Sequence, residues 1–245
     1  MTELAQGRED PPPPRWVPAA LAFVAGYVDV FTFLALFGLF VAQVTGSFVT
    51  AGAELVTHDS GIAGKAAAIC AFLLATAVTA GLIGWMRDHG RDALPWMLAF
   101  ETLLLAIFAG MLLAGPPASV EDWRGIVAGV FGAMAMGAQS VIVRLLMRGI
   151  PQTNVMTGNM TQLGVETTAL IVAWRRRSRD PADRNNEREF FAVLARLAVV
   201  LAIAVGFVFG AAAGAIAYAK AGLVGAPLAV ALVGALTVWA VLRNR

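Results

Sequence analysis

The chain alternates long apolar runs with short polar interruptions. Runs over roughly 17–42, 62–86, 93–114, 125–147, 190–219 and 222–242 each reach or approach the ~20 residues that an α-helix needs to cross a bilayer. They predict an all-α, polytopic membrane helix bundle with six spans. Two interruptions share a phrase: Thr45-Gly46-Ser47 is followed by Gly52 and Glu54, and Thr157-Gly158-Asn159 by Gly164 and Glu166. The segments at 45–57 and 155–174 are additional to the six spans.

Sliding the chain on itself by 111 residues superposes Ala22 on Ala133, Gly26 on Gly137, Val30 on Val141, Leu34 on Leu145 and Gly38 on Gly149. A shift of 112 then pairs Thr45 with Thr157, Gly46 with Gly158 and Glu54 with Glu166. This predicts two membrane repeats, 16–115 and 122–245, behind an N-terminal tail at 1–15. Each repeat has a long helix, a short Thr-Gly segment and two more long helices. If the short segments are broken or re-entrant, the halves are three-plus-three and inverted; if they cross, the alternative is four-plus-four and parallel. In the third helix of each half, counting the short segment, small residues recur at four-residue spacing, Ala75 and Thr79 in one and Gly206, Gly210 and Gly214 in the other, which is the pattern of close helix packing in lipid.

Charge favours the inverted arrangement. With six spans and both termini cytoplasmic, Arg8, Arg15, Arg87, Arg91, Arg144, Arg148, the cluster between Arg175 and Arg188, Arg243 and Arg245 all fall on the cytoplasmic side. The segment 175–189 reads as an Arg-rich cytoplasmic loop. It lacks interleaved aromatics, which argues for contact with anionic headgroups and against nucleic acid. Composition agrees: 59% of the 245 residues are hydrophobic and 14% charged, too little charge to cover a soluble globule. The tail, with Pro11 to Pro14, reads as disordered or polyproline-like and not as a cleaved signal peptide. Cys70 is the sole cysteine, so no intramolecular disulfide or zinc motif is available.

The doubled phrase carries the chemistry. Thr is a good N-cap and Gly tolerates a bend, so Thr45-Gly46 and Thr157-Gly158 read as helix starts after extended stretches at Phe40–Val44 and Thr153–Met156. Two helix N-termini facing each other near the midplane would favour an anionic solute. Ser47, Thr50 and Glu54 share one helical face, as do Asn159, Gln162 and Glu166, and the two stripes are expected to line one cavity. Glu54 and Glu166 are the candidates to carry a coupled proton. Asp29, isolated in the first long helix, is a functional candidate, with Gln139-Ser140 at the matching place and Arg144 as a prospective partner. Glu101 reads as interfacial. His58 and His89 fall in loops, no metal spacing is visible, and neither an enzyme nor a cofactor is expected.

At Gly26-Tyr27-Val28-Asp29, Val44-Thr45-Gly46-Ser47, Gly137-Ala138-Gln139-Ser140 and Val155-Met156-Thr157-Gly158-Asn159, the chain resembles the YoaK family over about 18–242. That is a family of small multi-pass bacterial membrane proteins defined by a domain of unknown function. The resemblance implies a bacterial inner-membrane protein and brings no substrate or reaction; Ser47 stands where the family pattern has Asn. The expected function is a small secondary transporter or permease, with lipid and a small solute as partners and a second copy of the chain left open. The alternatives are a non-transporting interaction or assembly protein and, less favoured, an intramembrane enzyme.

Overall fold

A computed structural model describes residues 14, 16–57 and 61–243. They form helices α1 (Trp16–Ala35), α2 (Val44–Thr57), α3 (Ile62–Asp88), α4 (Leu94–Leu113), α5 (Trp123–Leu146), α6 (Met156–Arg179), α7 (Arg184–Ala221), a 3₁₀ turn (Gly222–Gly225) and α8 (Pro227–Arg243), with no strand among the described residues. Five helices, α1, α3, α4, α5 and α7, are long and apolar enough to cross a membrane, and α8 is a shorter apolar helix. Leu73, Leu74, Leu103, Val208 and Phe209 point outward, as lipid-facing side chains do. The chain is a polytopic helical bundle. The expected tail, apart from Pro14, and His58 lie outside the described residues.

Two boundaries differ from the sequence reading. The first apolar run does not continue to 42: α1 stops at Ala35, because Phe37 and Gly38 take left-handed backbone angles (φ 55° and 84°) and Gly38 N–H closes on the Phe33 carbonyl at 2.8 Å. The Arg-rich segment 175–189 is mostly helical and not a loop. The helix α6 runs to Arg179 and α7 starts at Arg184, capped by the Asp183 side chain on Asn185 N–H. Exposed pairs Arg176–Glu189 (3.2 Å) and Arg177–Glu187 (3.8 Å) decorate this hairpin.

Glycine contacts set the helix directions. A Cβ placed on Gly206, Gly210 or Gly214 would collide with the carbonyl oxygens of Ala19, Phe23 and Tyr27, and one on Gly26 with that of Phe207. Both helices advance together through these contacts, so α1 and α7 are parallel and in backbone contact. In the same way Gly137 of α5 meets the Phe72 carbonyl of α3, and Ile126 meets Gly64, so α3 and α5 are parallel. Between α1 and α5 the order reverses: Gln139 bonds the Leu21 carbonyl, while Leu36, just past the end of α1, lies against Gly125. These two helices are antiparallel. The helix α1 thus packs on α7 and α5 on α3, within one continuous core. Lipid supplies no hydrophobic drive for association, and close approach of small residues supplies it instead.

Gly210→Ala is therefore expected to destabilise the bundle by roughly 1–3 kcal/mol, as overpacking does. Gly81→Ala, whose Cβ would meet nothing within 4 Å, is expected to be neutral or to gain up to about 1 kcal/mol from helix propensity. Thermal unfolding in detergent separates the two; equal melting temperatures would refute the seam.

Candidate functional site

Beyond the turn at Phe37 and Gly38 the chain doubles back along α1, and three successive amides then need acceptors inside the bundle. Asp29 supplies one. Its Oδ1 accepts from Val41 N–H (2.9 Å), Ala42 N–H (2.8 Å) and Gln43 N–H (3.3 Å), and its side chain is buried. Non-helical backbone at membrane depth survives only with such internal partners. The expected pairing of Asp29 with Arg144 does not form: Asp29 serves the backbone, and Arg144 is exposed at the end of α5.

Both Thr-Gly segments do begin helices, but the threonines are not the caps. The helix α2 starts at Val44 and α6 at Met156, each one residue before its Thr, and no side chain caps α6 at Val155. Thr45 and Thr157 are not buried. The fastening is done by the third residue of the phrase. Ser47 Oγ donates to the Phe40 carbonyl at 2.7 Å, and Asn159 Nδ2 donates to the Gln152 carbonyl at 2.7 Å. Both reach back seven residues, so Ser47 performs the same tie as the amide in the second copy. Gly46 is needed because a Cβ there would press on the Phe40 ring at 2.7 Å. At Gly158 the nearest atom is Val155 Cγ1 at 3.5 Å, so that position tolerates a side chain.

The second segment is held by side-chain amides. Gln139 Nε2 donates to Thr153 Oγ1 (2.8 Å) and the Leu21 carbonyl (2.9 Å), and Asn154 Nδ2 donates to Ser140 Oγ (2.6 Å). Asn154 Nδ2 also reaches the Ala42 carbonyl at 3.4 Å, which joins the two non-helical segments in the buried centre. Three buried acceptors near this junction, Gln139 Oε1, Gln152 Oε1 and Asn154 Oδ1, have no partner. Such groups are rare in native proteins and call for an explanation.

Of the residues expected at the site, Asp29, Gly46, Ser47, Gln139 and Asn159 lie at or beside this junction. The glutamate ends of the two stripes diverge from it, because α2 packs on α3 and α6 on α7, not on each other. Glu54 is ion-paired with the buried Lys65. Both oxygens of Glu166 accept from Arg196 Nε at 3.2 Å, and Gln162 Nε2 donates to it at 2.8 Å. Thr50 closes locally on the Gly46 carbonyl. A surface groove of about 520 Å³ between α6 and α7, lined by Gly164, Thr168, Val172 and Glu189 among others, lies away from the junction.

Sequence reasoning overlooked Thr153 and Asn154 as the anchors of the second segment; the signal available was their polarity at the positions matching Val41 and Ala42. It also misplaced Glu101, which is not interfacial: it is fully buried in α4, and both carboxylate oxygens lack partners. Its place in an apolar helix gave no hint of how deeply the neighbours enclose it. Among the described residues no His, Cys, Asp and Glu cluster could hold a metal, and Cys70 is exposed.

Asp29→Ala would strip the acceptor from three buried amides, each costing about 1–3 kcal/mol, and is expected to abolish the folded yield, whereas Asp29→Asn keeps an acceptor oxygen and should fold. Size-exclusion profiles in detergent report the difference; an Asp29→Ala protein as monodisperse as Asp29→Asn would refute the role. Ser47→Asn should melt like the wild type, and Ser47→Ala should lose about 1 kcal/mol.

No curated protein and no solved structure matches this chain. A family model does, the one described as protein of unknown function DUF1275, and it extends over residues 17–241, from the first turn of α1 to the last turns of α8. The chain belongs to that family, whose function is undefined, in keeping with the YoaK likeness.

Proposed function

We propose that the protein is a small secondary transporter whose solute binds where the two Thr-Gly segments meet. The observation that carries this reading is the buried junction itself: two stretches of non-helical backbone, brought together by helices that run in opposite directions, beside side-chain oxygens without partners. Irregular backbone paired in this way is the hallmark of sites built from broken helices.

The helix directions support two inverted halves. Because α3 runs with α5 and against α1, the chain enters α3 from the side where α1 ended, and α2, at about 21 Å, turns back without crossing. The same relation holds for α6 between α5 and α7. Three crossing helices per half then put the Arg-rich hairpin, Arg87, the start of α1 and the end of α8 on one side, which the positive-inside bias makes the cytoplasm of a bacterial inner membrane.

The junction also describes the solute. A carboxylate binds well to the amides before α2, as Asp29 demonstrates, and the start of α6 has no acidic group to occupy it. The unpaired Gln139, Gln152 and Asn154 oxygens would welcome a donor. A small solute with an anionic group and a hydroxyl or ammonium donor satisfies both. The direct hydrogen bond from Asn154 to Ala42 favours a second reading, a membrane interaction or assembly protein in which the junction is only a clasp.

Proteoliposome uptake, screened with small carboxylates and zwitterions with and without a pH gradient, decides between them. Saturable flux is expected, reduced at least tenfold by Gln152→Leu, which removes one of the unpartnered oxygens, in a protein that still melts normally. Unchanged flux in that variant would sink the site, and no flux for any solute class would leave the clasp as the better account.

A further inference from the structure

Glu54 and Glu166 are each ion-paired, with Lys65 and Arg196. Glu101 is different, being fully buried with both oxygens unpaired. An ionised carboxylate in such a place has nothing to offset its lost hydration, and a buried acid of this kind stays neutral instead.

The packing of α4 on α5 identifies what faces it. Phe108 of α4 lies 3.4 Å from the Cβ position of Gly132 on α5. The two helices are antiparallel, since α4 begins, and α5 ends, on the side of the bundle where Arg87 of α3 bonds the Leu145 carbonyl. Two turns back along α4 from Phe108 is Glu101; two turns on along α5 from Gly132 is Gln139. Both steps of seven residues keep the same helix face. The register thus brings Glu101 level with Gln139, and the Glu101 carboxyl and Gln139 Oε1 are both without a partner. Two unpartnered acceptors at one level of adjoining helices lack one thing, a proton between them.

We propose that Glu101 is a proton-binding site, its carboxyl O–H donating to Gln139 Oε1 in the resting state. Release of the proton leaves a carboxylate in front of an acceptor. The amide must then turn to present Nε2, the group that holds Thr153 and the Leu21 carbonyl. Loading and unloading Glu101 thereby tightens and loosens the second Thr-Gly segment. A metal cation fits less well, because it would want about six oxygens where the facing helices offer a carboxyl and one amide amid Leu98, Leu104 and Phe108. No fixed charge substitutes for the proton: the charged residues of the elements packed on α4 are Arg124 and Arg144 of α5 and Arg243 of α8, all exposed, and the 3₁₀ turn has none. Use of this proton to drive solute movement rests on the transport reading; the proton site does not.

Infrared difference spectra of the protein in liposomes, with carbonyl-labelled glutamate and stepped pH, test it without measuring flux. A protonated glutamic acid band is expected at neutral pH, lost in Glu101→Gln and moved to higher frequency in Gln139→Leu as its hydrogen bond disappears. Glu101→Gln, which keeps an N–H in place of the O–H, should melt close to the wild type. Absence of the band in the wild type, its survival in Glu101→Gln, or its indifference to Gln139→Leu would overturn the proposal; if Glu101→Gln does not fold, the wild type and Gln139→Leu decide alone. A protein with the band and no flux would fail only the transport reading, and one with flux and no band would fail only the proton site.

Discussion

The structure hinges on one carboxylate oxygen. Asp29 Oδ1 collects the amides of Val41, Ala42 and Gln43, and without it the chain could not leave α1 and turn back inside the bundle. Backbone amides enclosed by other helices need a partner from the protein, and Asp29 is that partner. That turn decides where α2 starts, where Ser47 can reach Phe40, and where Ala42 can meet Asn154. The second non-helical segment is fastened the other way round, by side-chain amides that donate: Gln139 to Thr153 Oγ1 and Asn154 to Ser140 Oγ. A charged acceptor and neutral donors therefore hold the two segments side by side.

Around this junction the bundle is held by contact and not by hydrophobic segregation. Gly206, Gly210 and Gly214 bring α7 onto the backbone of α1, and Gly137 brings α5 onto α3. The N-terminal helix α1 packs on α7 and α5 packs back on α3, an exchange that leaves one common core. That exchange is also what brings the two non-helical segments together, because α1 and α5 lie side by side at the centre. Packing and candidate chemistry are consequently one arrangement, and the ion pairs of Glu54 and Glu166 lie outside it.

Much of the fold was legible along the chain. Apolar runs of bilayer length located the long helices, and the glycine spacing on 206, 210 and 214 marked the seam that α1 occupies. The end of α1 was not legible, because Phe37 and Gly38 sit in a continuous apolar run and only their left-handed angles break it. Within the site, the doubled phrase led to Gly46, Ser47 and Asn159, yet it suggested Thr as the cap where the working tie is the residue two further on. Glu101 was misjudged for a related reason: distance from a helix end predicts depth only when neighbours are known, and α5 and α8 close over it completely.

The sequence by itself determined that this is a membrane bundle with two polar breaks that share one phrase, since hydropathy over ~20 residues and residue spacing are local properties that need no partner to be read. Only the tertiary structure decided which polar groups are satisfied. A carboxylate is structural at Asp29, ion-paired at Glu54 and Glu166, and bare at Glu101 according to what other helices bring to it. Hydrogen bonds and ion pairs in a low-dielectric interior are made between segments far apart in the chain, and their energies depend on ångström-scale separations that no spacing in the sequence encodes.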